Sequence, residues 1–120
     1  MVTVTVVQTK NSVDQNKFIV EGTLTLTANY GGAATHGDTI NMSALGVPSN
    51  AVPDWVQIQE ATPAGTAPTG YLFIFCPGTT QANGVLSIWN NVTEYTEGSA
   101  YSAGLLAAVL EFRAEFPAFL

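Results

Sequence analysis

The sequence predicts an all-β fold, an antiparallel β-sandwich of jelly-roll-like type with about eight strands. Three observations lead there. The hydrophobic pattern has a period of two almost everywhere, turn signals recur every ~8–12 residues, and no segment carries the helical spacing of a βαβ crossover. The chain has 120 residues, which suits one domain spanning residues 1–120. At that length roughly two-thirds of the unfolded surface is removed from water, so neither a metal nor a disulfide is needed for folding.

The elements follow in order. Val2, Val4 and Val6 alternate with threonines up to Val7, a half-buried strand of β-branched residues. From Phe18 to Tyr30 the alternation is longer. Phe18, Val20, Leu24, Leu26, Ala28 and Tyr30 share one face, and Glu21, Thr23, Thr25, Thr27 and Asn29 share the other. A strand sorts these residues cleanly and a helix scatters them. Gly22 within this run points to a bulge or bend. A glycine-bordered loop, Gly31 to Gly37, precedes a short strand near Asp38 to Met42.

The turn-rich stretch Val47 to Asp54 leads into a strand from Trp55 to Glu60, and a loop of small residues and prolines runs from Thr62 to Gly70. Tyr71 to Cys76 is apolar throughout, which fits a strand covered on both faces. The pair Asn83-Gly84 is a strong turn signal. Val85 to Asn90 is a further strand, with a shorter one from Thr93 to Glu97. Tyr101 to Ala108 holds room for a helical turn, and Leu110, Phe112, Ala114 and Phe116 alternate with Glu111, Arg113 and Glu115 in a last strand.

Charged residues make up 10% of the chain, where about 25% is usual. Much of the exterior must therefore be Thr, Ser, Asn and Gln, and such a surface is more comfortable when neighbours cover part of it. The net charge is −6, and Lys10, Lys17 and Arg113 are the three basic residues. Binding a phosphate backbone draws on several clustered cations, so no direct nucleic-acid partner is expected. No apolar stretch reaches the roughly 18–20 residues that cross a bilayer as a helix, so no membrane partner is expected. Met1-Val-Thr-Val-Thr lacks the basic and apolar regions of a secretory signal.

Catalytic candidates are sparse. His36 is the single histidine, and it reads as an exposed loop residue, since general-base or zinc chemistry needs partners. Glu111 and Glu115, with Arg113 between them, read as a solvated outer face rather than a glycosidase pair. Glu94, Glu97 and Asp38 lack the Asp-rich loop of a calcium site. Cys76, the lone cysteine, reads as a buried inert thiol. Trp55 and Trp89, with Tyr30, Tyr71, Tyr95 and Tyr101, raise sugar stacking as an option, but strand tryptophans pack into cores by default. No enzyme activity, metal or cofactor is expected. Apolar groups at both ends of the sequence, Val2 and Val4 and then Phe116, Pro117, Phe119 and Leu120, are candidates for a partner interface.

The segments Val20 to Leu26, Gly37 to Met42, Gly70 to Leu86, Tyr101 to Gly104 and Glu111 to Leu120 resemble small virion structural proteins of tailed bacteriophages. The resemblance implies a capsid decoration or cement protein on the exterior of the head. Its partners would be the major capsid protein and further copies of itself, as a homo-oligomer with a trimer ahead of a dimer. It carries no catalytic residues. Two other readings remain open: a tail, head-fibre or baseplate component, and a carbohydrate-binding β-sandwich.

Overall fold

A computed structural model describes residues 1–12, 17–31, 36–43, 47 and 51–117. Two antiparallel sheets pack face to face. β1 (Val2–Ser12), β2 (Lys17–Leu26), β8 (Leu110–Pro117) and β4 (Trp55–Glu60) form the first sheet in the spatial order β1-β2-β8-β4. β3 (Asp38–Ile40), β6 (Gly84–Asn90) and β5 (Leu72–Cys76) form the second in the order β3-β6-β5, and the short β7 (Thr93–Glu94) also pairs with β6. The chain changes sheets between β2, β3, β4 and β5, then returns from β7 to β8 through a single helix, α1 (Ala103–Ala107). The all-β sandwich of about eight strands expected from the pattern is therefore the architecture present.

The period-two alternation translates directly into layers. Val20, Leu24 and Leu26 from β2 and Leu110, Phe112, Ala114 and Phe116 from β8 meet Ile40, Leu86 and Ile88 from the second sheet in one core. Burying each large side chain of this kind contributes about 1.5–3 kcal/mol. α1 adds Leu105 to that core, and its N-cap is Ser102, whose Oγ accepts the Leu105 N–H at 3.4 Å. The bend expected at Gly22 appears as a register shift on the facing strand, where Val6 pairs with Gly22 but Gln8 pairs with Glu21, leaving Val7 as the extra residue.

Two expectations are corrected at β5. The strand is covered on one face only. Phe73 and Phe75 pack against the core, whereas Leu72 is 56% and Ile74 is 39% exposed. Cys76 shares their outward parity and is exposed rather than buried. A run of apolar residues is compatible with either placement, and here the first sheet covers only one side of the strand.

The loop from residue 61 to residue 70 is tied to the sheet by one carboxylate. Glu60 accepts hydrogen bonds from the hydroxyls of Thr62 and Thr69, and from the Thr69 N–H at 3.0 Å. Partial burial pushes the Glu60 carboxyl up, but these donors outweigh it and hold it below the usual glutamate value. The anchorage is thus complete above the ordinary carboxylate range and is lost as pH falls through the lowered value. Glu60→Gln is expected to lower the protection factor of the Thr69 amide about tenfold, the size of a hydrogen bond to a charged acceptor, and to remove the loss of that protection at acid pH. Equal Thr69 protection factors in the two proteins, constant from neutral to acid pH, would count against this anchor.

Candidate functional site

The residues expected at a partner interface are not gathered into one place. Val2 lies opposite Leu26, at one end of the first sheet, while Phe116 lies opposite Phe18, at the other. The β2 residues between those positions span ~27 Å. Val2 and Val4 are half-buried and packed against the core from the edge strand β1. Phe116 is completely buried, so its side chain belongs to the subunit's own core, and Pro117 is half-buried beside it. Phe119 and Leu120 lie outside the described residues.

The chemistry-bearing candidates divide into a cluster at one end and two outer sheet faces. At the end, the His36 side chain is 74% exposed, as its loop position suggested. Its Nδ1 lies 2.8 Å from Glu97 Oε1 and 3.5 Å from Glu94 Oε2. The three donor groups lie within 4.8 Å of one another, a spacing that suits a metal ion. Asp38 is not among them. It is buried and accepts from the Tyr101 hydroxyl. Histidine and glutamates more than fifty residues apart in sequence meet here beside Tyr30, whose hydroxyl lies 3.3 Å from the His36 carbonyl and whose own carbonyl accepts the Gly98 N–H. The Tyr30 hydroxyl donates to Glu94 Oε1 at 2.8 Å. Beside this cluster, Tyr71, Asn90, Thr93 and Tyr95 border a shallow depression.

The outer face of the second sheet is apolar. Leu72 lies opposite Trp89, Ile74 opposite Ser87 and Cys76 opposite Val85. The core-facing residues of these strands are Phe73, Phe75, Leu86 and Ile88, so the other six share the outer side. Trp89 is half-buried, and its Nε1 donates to Ser87 Oγ at 2.7 Å. The indole thus satisfies its one polar atom within the face, leaving carbon to meet whatever covers it.

The outer face of the first sheet is polar and concave. Its residues form a grid across β4, β8 and β2: Trp55, Glu115 and Ile19 in one row, Gln57, Arg113 and Glu21 in the next, and Gln59, Glu111 and Thr23 in the third. The two polar rows enclose a depression of about 340 Å³ whose floor reaches Gly22 and Phe112. Glu111, Arg113 and Glu115 do form the outer face expected of them, and Arg113 approaches Glu21 at 3.9 Å, an exposed pair of little energetic weight. Trp55 corrects its own expectation. It is 44% exposed and faces outward rather than into the core. Its parity was the available signal, since Trp55 alternates with Val56 and Ile58 and keeps company with Gln57 and Gln59.

Comparison with protein-family models, with curated proteins and with solved structures returned no match.

Proposed function

We propose that this chain is a non-enzymatic structural protein of a tailed-phage virion, a capsid decoration or cement protein that docks on the head exterior and joins with copies of itself. The observation that carries the docking element is the outward apolar row of Leu72, Ile74 and Cys76, backed by Val85 and Trp89. Soluble monomers rarely leave such a contiguous apolar face without a partner. Composition supports the same reading. With three basic and nine acidic residues in 120, ionic groups are too few to make the rest of the exterior self-sufficient in water. The capsid assignment itself rests on the resemblance of the strand and turn segments to virion proteins. Many copies on one shell would gain avidity from geometry, so each contact is free to be modest.

Replacing both Leu72 and Ile74 with aspartate is expected to weaken association at least about tenfold per side chain, as truncated interface anchors do. The midpoint of thermal unfolding should stay near the parent value, because both residues point away from the core. The check is cosedimentation with particles stripped of the protein, alongside light scattering of the free chain. Immunogold electron microscopy of virions distinguishes the locations: label on the head supports the reading, label on the tail transfers it to a tail component, and unlabelled particles end it. Association undiminished in the double variant would move the docking surface elsewhere.

A further inference from the structure

The concave outer face of the first sheet holds a second set of groups that the docking role does not use, and we propose that it is a binding groove for a neutral oligosaccharide. Three features of that face point to this chemistry. The first is shape. A depression of about 340 Å³ falls within the ~300–1,000 Å³ typical of small-ligand sites, and it lies across three strands between Gln57, Gln59, Glu21 and Thr23. With the adjoining Trp55 row the face extends ~13 Å along β4 from Trp55 to Gln59, the length of two or three linked sugar rings.

The second feature is an unclaimed hydrogen-bonding capacity. Among the described residues, the side chains of Gln57, Gln59 and Glu111 make no hydrogen bond or ion pair, and Arg113 has only the long contact to Glu21 at 3.9 Å. Amides, carboxylates and a guanidinium in adjacent columns offer alternating donors and acceptors. Vicinal hydroxyls, each both donor and acceptor, match such an array, and a carboxylate or guanidinium can engage two of them at once.

The third feature is the indole of Trp55. It is 44% exposed in the row next to the depression, on the same face as the two glutamines. An aromatic surface beside polar groups suits the mixed character of a sugar, whose ring presents C–H bonds on one face and hydroxyls around its edge. Charge then selects within the class. Within these three rows Glu21, Glu111 and Glu115 stand against Arg113, and Lys17, further along β2, is paired with Asp54 at 3.0 Å, so a uronate, sialate or phosphate group would be repelled from the rows. A neutral glycan meets no such repulsion. The apolar second sheet lies on the opposite side of the sandwich, so this inference stands or falls separately from the docking role.

The test is carried out on the full chain. An array of immobilised neutral and acidic oligosaccharides identifies binders, and nuclear magnetic resonance titration of the ¹⁵N-labelled protein with each soluble hit locates the site. Binding of at least one neutral glycan is expected, with shifts at the Trp55 indole N–H and at the Gln57 and Gln59 side-chain amides and none at the Trp89 indole. Trp55→Ala should weaken that binding about tenfold or more, as loss of an aromatic anchor does, and Trp55→Tyr should retain most of it. Because Trp55 is exposed, neither substitution is expected to move the unfolding midpoint, and thermal unfolding of both variants checks this. Silence across all neutral glycans, a preference for acidic ones, or shifts that persist unchanged in Trp55→Ala would each overturn the assignment. The Leu72 and Ile74 double variant should bind the same glycan as the parent, which separates failure of this groove from failure of the docking face.

Discussion

Replacing Gly22 with valine is expected to cost about 3 kcal/mol or more, at the upper end of overpacking effects, and alanine should already cost most of that. A Cβ at this position would lie 2.0 Å from the Thr5 carbonyl oxygen and 2.9 Å from the Phe112 ring. The ring can give way, but the carbonyl belongs to the β1–β2 ladder and moves only if that pairing opens. Thermal unfolding should show a midpoint lower by roughly 12–20 °C for a domain of this size. Gly104→Ala is the matched control. It lies in α1, where an added Cβ would meet nothing within 4 Å, and should be neutral or stabilising by up to ~1 kcal/mol. A loss below ~1 kcal/mol for Gly22→Ala would show that the bulge at Val7 absorbs the clash, and that the glycine is there for another reason.

That glycine also illustrates how far a sequence can be read. Its position within an alternating run predicted a local irregularity, and the register shift between Val6 and Gln8 is that irregularity. Strand existence was legible at almost every element, because parity alone separates Val20, Leu24 and Leu26 from Glu21, Thr23 and Thr25. Coverage was not. Leu72 to Cys76 reads the same whether two layers or one lie over it, since apolar character records what a residue tolerates and not what surrounds it. Composition does not say which face of an edge strand the opposing sheet will take.

The candidate surfaces were legible in proportion to their locality. Trp55, Gln57 and Gln59 sit on one strand, and their shared parity predicts a shared face, although a default for tryptophan in the core hid it. Assembling the grid with Arg113, Glu111 and Glu21 required the register of three strands, which no local pattern contains. The cluster of His36, Glu94 and Glu97 is less legible still, because it joins two loop residues to the end of β7, and their approach depends on tertiary closure. The two outer faces also differ in a way that composition averages away. One is carbon-rich with its indole nitrogen already satisfied, and the other is rich in donors and acceptors that the protein leaves unused. A low overall charge thus conceals two surfaces of different chemistry on opposite sheets.

The end of the sandwich depends on Tyr30, and its replacement is the other change expected to be large. β6 has two short neighbours on one edge: β3, whose register begins with Asp38 opposite Leu86, and β7, whose Glu94 lies opposite Trp89. Ser87 and Ile88 fall in the gap between them. The Tyr30 hydroxyl fills it, accepting the Ile88 N–H at 3.1 Å while donating to Glu94 Oε1 at 2.8 Å. Its ring is buried and meets Tyr95 at 5.5 Å and Tyr101 at 6.1 Å, edge to face in both cases. Tyr30→Phe should cost about 1–3 kcal/mol, the range for leaving a buried donor unsatisfied, and exchange at the Ile88 amide should rise with it. Tyr30→Ala adds a cavity and should cost about 3–5 kcal/mol. Burial first, and the Glu94 carboxylate with it, raise the phenol above its ordinary value despite the opposing bonds from Ser87 and Ile88. Because the folded value is the higher one, the stabilisation is fully present below the ordinary tyrosine pKa and declines as pH rises from there through the raised value. Part of the alkaline loss of stability should therefore disappear in Tyr30→Phe, with the remainder coming from Tyr101, which burial and Asp38 raise in the same direction. Identical alkaline profiles for parent and Tyr30→Phe, with an unchanged Ile88 amide, would mean that water satisfies the strand gap and that the hydroxyl is incidental to it.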